Sequence, residues 1–183
     1  MAKNNKTSDK TAYVWAALRI TIGLIFLWAF ADKMLGLGFG TCRSVDPQTG
    51  VETVQILCEK AVANGGSPTE GFLTFATQGP FEDFYSGIAG NKFVDVAFMA
   101  GLGLIGTALV LGIGVKVAAI SGIVMLMMMW TAVMPGENNP FIDDHIVYSI
   151  ALLGVALANK KQVAGLGDWW QSQSYVKRFS FLE

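Results

Sequence analysis

Apolar positions gather in four runs, and the length of each run decides what it can be. The first, Tyr13 to Leu37, carries Arg19 near its start and Asp32 and Lys33 near its end, with Ile20 to Ala31 uncharged between them. The second, Phe93 to Val115, is interrupted only by Asp95, and the third, Val117 to Met134, holds no charge. About 20 helical residues cross a hydrocarbon core, so these three runs are predicted to span a bilayer. The fourth, Ile146 to Ala158, is short; it reaches crossing length when Pro140 to His145 lies in the interface. The expected fold is all-α, a four-helix transmembrane bundle forming one integral membrane domain over 1–183. Its crossings fall at about 13–37, 93–115, 117–134 and 142–158, with a long extracytoplasmic loop over 38–91 between helices 1 and 2 and an interfacial tail over 159–183.

Composition agrees with this pattern. Hydrophobic residues make up 52% of the chain, charged residues 15%, and the mean hydropathy is +0.46, which is too little charge for a soluble domain of this length. A net charge of -1 leaves no footprint for nucleic acid. The Lys-rich start, the apolar stretch and Ala29-Phe30-Ala31 imitate a cleavable signal peptide. The run is too long for one and Arg19 interrupts it, so it is read as a retained crossing.

Orientation follows the basic residues. With the N-terminus inside, cytoplasmic segments hold Lys3, Lys6, Lys10, Lys116, Lys160, Lys161, Lys177 and Arg178, whereas outer segments hold only Lys33, Arg43, Lys60 and Lys92. Most acids, including Glu137, Asp143 and Asp144, then fall outside. The expectation is a multi-pass protein of a prokaryotic plasma membrane with both termini cytoplasmic. In the outer loop, Asn64 to Pro68 marks a turn, and Glu70 to Ala76 and Phe81 to Ala89 read as short amphipathic helices lying on or dipping into the membrane face. The tail, with Trp169, Trp170, Tyr175 and Phe179 beside Lys177 and Arg178, suits the inner interface.

Candidate chemistry is sparse. Gly101-Leu102-Gly103-Leu104-Ile105-Gly106 matches a dinucleotide fingerprint, yet it sits inside an apolar span where no phosphate reaches it. Small residues at helical spacing are read as helix-packing surfaces, and no nucleotide is expected. Arg19, Gly23, Phe26, Phe30 and Lys33 fall on one helix face, which puts the two cations roughly 21 Å apart. Arg19 either snorkels to head groups or faces the bundle and holds an anionic or carbonyl group; Lys33 beside Asp32 reads as an interfacial ion pair. His145, the only histidine, follows Asp143-Asp144 at the outer mouth of helix 4, above Tyr148 and Ser149. It is either a hydrogen-bonded structural residue or a proton carrier. A metal site of Glu137, Asp143, Asp144 and His145 is disfavoured, since adjacent residues at a helix start diverge. Met125, Met127, Met128, Met129 and Met134 cluster near Trp130; adaptable packing is the favoured reading, a soft wall for a quinone ring the other. Cys42 and Cys58 share the outer loop, where a structural disulfide would contribute about 3 kcal/mol in the chain-entropy model; redox exchange through it is the sharper alternative.

The order of these motifs resembles the DoxX/DoxD family of small four-helix membrane proteins. The resemblance rests on Arg19 to Lys33, Gly65 to Leu73, Gly79-Pro80-Phe81, the glycine-rich second span, Asn138-Asn139-Pro140-Phe141-Ile142-Asp143-Asp144-His145 with Tyr148, and Gly165 to Trp170. It covers about Tyr13 to Trp170 but not Phe39 to Asn64, so it implies nothing about the cysteines. It implies a membrane subunit of a thiosulfate:quinone oxidoreductase or a related respiratory redox complex, with quinone as cofactor and a partner subunit. A non-catalytic anchoring or assembly subunit is the alternative. Mapped residue by residue, the resemblance points to Arg19, Lys33, Asn139, Asp144 and His145; Arg19, Asp144 and His145 are the candidate catalytic groups, and Arg19, Lys33 and Asn139, with Trp130 from the methionine-rich span, the candidate quinone contacts. No haem, flavin or metal motif is present in the sequence. Membrane lipid is the other expected partner, and a homo-oligomer stays open.

Overall fold

A computed structural model describes residues 5–136, 139–158 and 163–182; Lys3, Glu137, Asn138, Lys160 and Lys161 of the sequence reading lie outside them. Helix α1 runs from Asn5 to Leu35, α4 from Lys92 to Leu111, α5 from Val115 to Val133 and α6 from Asp144 to Leu157. Lys10–Leu35, Lys92–Leu111 and Val115–Val133 are long and apolar enough to cross a membrane. Their exposed side chains include Leu24, Ile25, Val96, Leu104, Ile120 and Val124, an apolar exterior that only lipid solvates well. The protein is a membrane-embedded helical protein. Helix α6 is a fourth apolar helix of 14 residues, packed on α5 and α1.

Each boundary has a local cause. Gly36 (φ +64°) stops α1 by donating its N–H to the Asp32 carbonyl, so the helix is two residues shorter than the expected Leu37. The second and third runs divide earlier than expected. Gly112 and Gly114 both adopt left-handed backbone (φ +73° and +54°), a conformation glycine takes without steric penalty, and Val115 already belongs to α5. The N-terminus of α4 is capped by Asn91, whose side chain accepts from Phe93 and Val94 N–H, and that of α6 by Asp143, which accepts from Ile146 N–H. Such caps satisfy helix donors that have no intrahelical partner.

The segment between α1 and α4 is structured throughout much of its length. Contrary to the all-α expectation, it holds a hairpin, β1 (Arg43–Val45) with β2 (Glu52–Val54), antiparallel with Ser44 opposite Thr53. Periodicity could not reveal strands of three residues, all exposed. The Cys42–Cys58 disulfide closes this knob (Cα–Cα 5.7 Å). Beyond it lie α2 (Glu70–Phe75) and α3 (Glu82–Gly87), close to the two short helices expected. After α6, α7 (Gly167–Ser172) and α8 (Ser174–Arg178) fold back on the bundle. The hairpin, α2 and α3 stand at one end of the bundle, here the loop end, and α7 and α8 at the tail end.

The glycines of the fingerprint-like motif do pack helices. A Cβ on Gly106 would stand 2.9 Å from the Gly23 carbonyl oxygen and 2.7 Å from Leu27 Cγ, and one on Gly23 3.0 Å from the Gly106 oxygen. The α1 and α4 backbones therefore touch, which supplies the close van der Waals contact that drives helix association in lipid. Gly106→Val should lower resistance to unfolding in detergent by about 2 kcal/mol through overpacking. Gly71→Ala, where a Cβ meets open space, should leave it within about 0.5 kcal/mol. Equal midpoints for the two variants would contradict this packing account.

Candidate functional site

The residues singled out from the sequence separate into the two ends of the bundle. At the tail end, Arg19 is 3% exposed. Its guanidinium donates to the Leu109 and Val110 carbonyls of α4, and to those of Val163 and Ala164 before α7. The last four carbonyls of a helix lack intrahelical donors. Here Ala108 receives the Gly112 and Ile113 N–H groups and Leu111 receives Leu166 N–H at 2.7 Å, leaving Leu109 and Val110 to Arg19. Of the two expectations, facing inward toward carbonyls is the one observed, and the carbonyls are the chain's own.

At the loop end, Asp32 is buried and accepts from Phe39 N–H (3.0 Å) and Gly40 N–H (2.9 Å), holding the chain as it leaves α1. The Asp32 carboxylate serves these backbone donors and also attracts the neighbouring Lys33 ammonium, the two flanking Gly40, while the Lys33 Nζ stands 6.0 Å from the centre of the Phe98 ring of α4. Asp95, in the first turn of α4, accepts from Ser67 Oγ (2.8 Å) and Thr69 Oγ1 (2.6 Å), which docks the Gly65–Leu73 stretch. Gln78 caps the end of α5, its backbone N–H reaching the Ala132 carbonyl and its amide the Val133 and Pro135 carbonyls. Tyr85 is buried and donates to the Met128 carbonyl at 2.9 Å, with Thr131 Oγ1 at 2.6 Å.

These anchors hold α2 and α3 as a roof over a cavity of about 430 Å³ between α4 and α5. Its walls are mainly apolar, from Phe72, Phe98, Ile105, Val124, Met125 and Met128, with polar groups from Lys33, Thr69, Tyr85 and Ser121. That composition, an apolar slot with few polar groups, is typical of small-molecule sites. The methionines the sequence favoured as packing are thus partly a cavity wall. Gly101 lines it too, where a Cβ would press on Met125 Cε. Sequence reading missed Phe98, Tyr85 and Ser121; Tyr85 had a signal, being one of several aromatics in a polar segment, while the other two looked like ordinary span residues.

Among the candidate ligand and catalytic residues, Lys33 alone lines this cavity. Trp130 Nε1 donates to the Phe141 carbonyl (3.2 Å), and Asn139 Oδ1 accepts from Phe141 and Ile142 N–H (3.0 and 3.1 Å), so both shape the turn before α6. His145 Nδ1 lies 2.7 Å from Asp143 Oδ2 and 4.0 Å from Asp144 Oδ1. The expected divergence of these three is not observed: their donor atoms lie within 4.8 Å of one another. Asp143 has extended backbone as the N-cap, which folds its side chain back over the first turn. Ser149, one turn further along α6, is buried with no hydrogen-bond partner for its Oγ among the described residues.

Compared with known proteins, the chain matches no family model, no curated protein and no solved structure at a significant level.

Two outcomes follow from this geometry. Arg19→Met leaves two buried carbonyls of α4 unsatisfied and should destabilise the protein by on the order of 3 kcal/mol, with Arg19→Lys intermediate because the fork is lost; detergent unfolding midpoints measure both, and a wild-type midpoint for Arg19→Met contradicts the capping role. Asp143→Ala removes the side-chain acceptor of the Ile146 N–H at the start of α6 and should destabilise the protein by about 1 kcal/mol, whereas Asp143→Asn, itself a good cap, should cost less; an unchanged unfolding midpoint for Asp143→Ala contradicts the capping role.

Proposed function

We propose that the chain is a DoxX/DoxD-like subunit that binds a quinone in the cavity between α4 and α5 and serves a sulfur-compound (thiosulfate):quinone oxidoreductase or a related respiratory complex. The observation that carries this reading is the cavity itself. From Ser121 to Ala132 its α5 wall is about 16 Å long at a 1.5 Å rise per residue, room for a ring and the start of an isoprenoid chain. Lys33, Thr69 and Tyr85 cluster toward the loop end, so a ring carbonyl would lie there and its chain toward Ser121 and Ile105. The Lys33 ammonium is the natural donor to that oxygen, a charge-assisted bond in a poorly solvated slot. His145 with Asp143 stands at the same end of the bundle, suited to passing protons at a membrane face. Val124 and Met128 are exposed as well as lining the cavity, so a lipid-soluble ligand can enter from the bilayer.

The same reading takes α6 as a fourth crossing. Its 14 residues extend roughly 21 Å, and the exposed Phe141 and Ile142 continue the apolar surface toward the roughly 30 Å of a hydrocarbon core. Four crossings put both termini on one side, and the excess of basic residues there supports a cytoplasmic orientation; the prokaryotic plasma membrane belongs to the DoxX/DoxD reading. The loop end then faces out, where a disulfide persists and where a sulfur anion would meet a partner subunit.

One observation favours an assembly role instead. The disulfide-closed knob exposes Val45, Val51, Val54 and Ile56, with Phe39 exposed just before it, an apolar surface of the kind that marks interaction sites. Binding of a short-chain benzoquinone to purified protein separates the two. The quinone site requires saturable binding, with Lys33→Met weakening it about tenfold or more and Gly101→Leu abolishing it by filling the slot. Wild-type affinity in both variants would refute the cavity assignment, and thiosulfate-dependent reduction of the analogue by the purified complex tests the reaction.

A further inference from the structure

We infer that the C-terminal segment 163–182 is an interfacial collar that binds anionic phospholipid head groups through Lys177 and Arg178. The inference is independent of the quinone reading. The segment is fastened to the bundle from inside: Arg19 holds the Val163 and Ala164 carbonyls, Leu166 N–H reaches the Leu111 carbonyl, and Trp170 Nε1 donates to the Leu182 carbonyl at 2.6 Å. Gly165 permits this approach, since a Cβ there would stand 2.6 Å from the Leu111 oxygen. Val176 is fully buried. The opposite surface is unlike that of a water-facing tail. Leu166, Trp169 (57% exposed), Tyr175, Phe179 and Phe181 are all exposed, as is Tyr13 at the same end of α1.

Amphipathic aromatics at the end of a bundle whose helix sides face lipid continue that lipid surface into the head-group layer, where Trp and Tyr concentrate. Lys177 and Arg178 close α8 at that level. Both are exposed, and neither pairs with a carboxylate among the described ion pairs. Arg178 is 5.7 Å from the centre of the Phe179 ring, which keeps a cation beside an aromatic side chain suited to the interface. Asp168, the acid in this segment, lies at the start of α7, nine residues from Lys177. Two adjacent cations among interfacial aromatics are complementary to a phosphate diester carrying a net negative charge.

The test uses the full chain in nanodiscs of phosphatidylcholine with and without phosphatidylglycerol, labelled with an environment-sensitive fluorophore through Phe181→Cys. A nitroxide on the lipid head group should quench the label several-fold more than a water-soluble nitroxide. Phosphatidylglycerol should be retained selectively by the protein, and Lys177→Gln with Arg178→Gln should weaken that retention by up to roughly 25-fold, about fivefold for each cation, without altering the unfolding midpoint. Preferential quenching from water places the segment off the membrane and overturns the inference. Exclusion of both quenchers shows a protein cover and overturns it equally. Undiminished phosphatidylglycerol retention in the double variant removes Lys177 and Arg178 as its binders.

Discussion

Backbone carbonyls at the end of an apolar helix have nowhere to go in lipid, and the Arg19 guanidinium is this protein's answer at the shortest connection between its long apolar helices. The turn between α4 and α5 is only three residues long, 112–114. It leaves the Leu109 and Val110 oxygens turned toward the bundle, where water cannot serve them. A cation reaching across from α1 satisfies both and has donors left for Val163 and Ala164. One side chain therefore joins α1, α4 and the tail. The fork geometry of arginine suits this role in a way that the point charge of lysine does not.

The same requirement organises the loop end, with different chemistry. Gln78 serves the last carbonyls of α5, Leu57 N–H reaches the Leu35 carbonyl at the end of α1 (2.9 Å), and Asp32 gathers the chain that leaves it. Capping by remote segments has a consequence for the site. Because Gln78 and the Ser67–Thr69–Asp95 cluster must sit where the helix ends are, and Tyr85 reaches the Met128 carbonyl in the last third of α5, α2 and α3 are drawn across the space between α4 and α5. The cavity is what remains beneath them. Its floor is open because Gly101 has no side chain to fill it and flexible methionines line the facing wall.

Close packing elsewhere makes that space distinctive. Gly23 and Gly106 bring α1 and α4 into backbone contact, and Gly122 receives the Leu152 side chain from α6. Around these contacts Ile22, Leu109, Val115 and Leu152 are almost wholly buried. A slot left beside so dense a seam, with a lysine in its wall, is a better candidate for a ligand than the polar cluster at Asp143 to His145. In that cluster each contact also explains the start of α6: Asp143 caps the helix and His145 holds Asp143.

Periodicity and charge were enough to place the apolar helices and the two short helices of the intervening segment, because lipid and helix length impose those patterns on composition directly. The inward face of α1, from Arg19 through Gly23 and Phe26 to Lys33, was readable for the same reason, as spacing of 3.6 residues brings them into line. What those residues meet was not readable. Arg19 bonds carbonyls some 90 and 145 positions away, Lys33 came to lie beside Phe98 of another helix, and Asp95 found hydroxyls nearly thirty residues upstream. Backbone acceptors carry no residue identity, so no pattern of side chains announces them. The exposed three-residue strands escaped because they bury nothing. The cavity escaped because an empty volume belongs to the spacing of helices and not to any one segment of the chain.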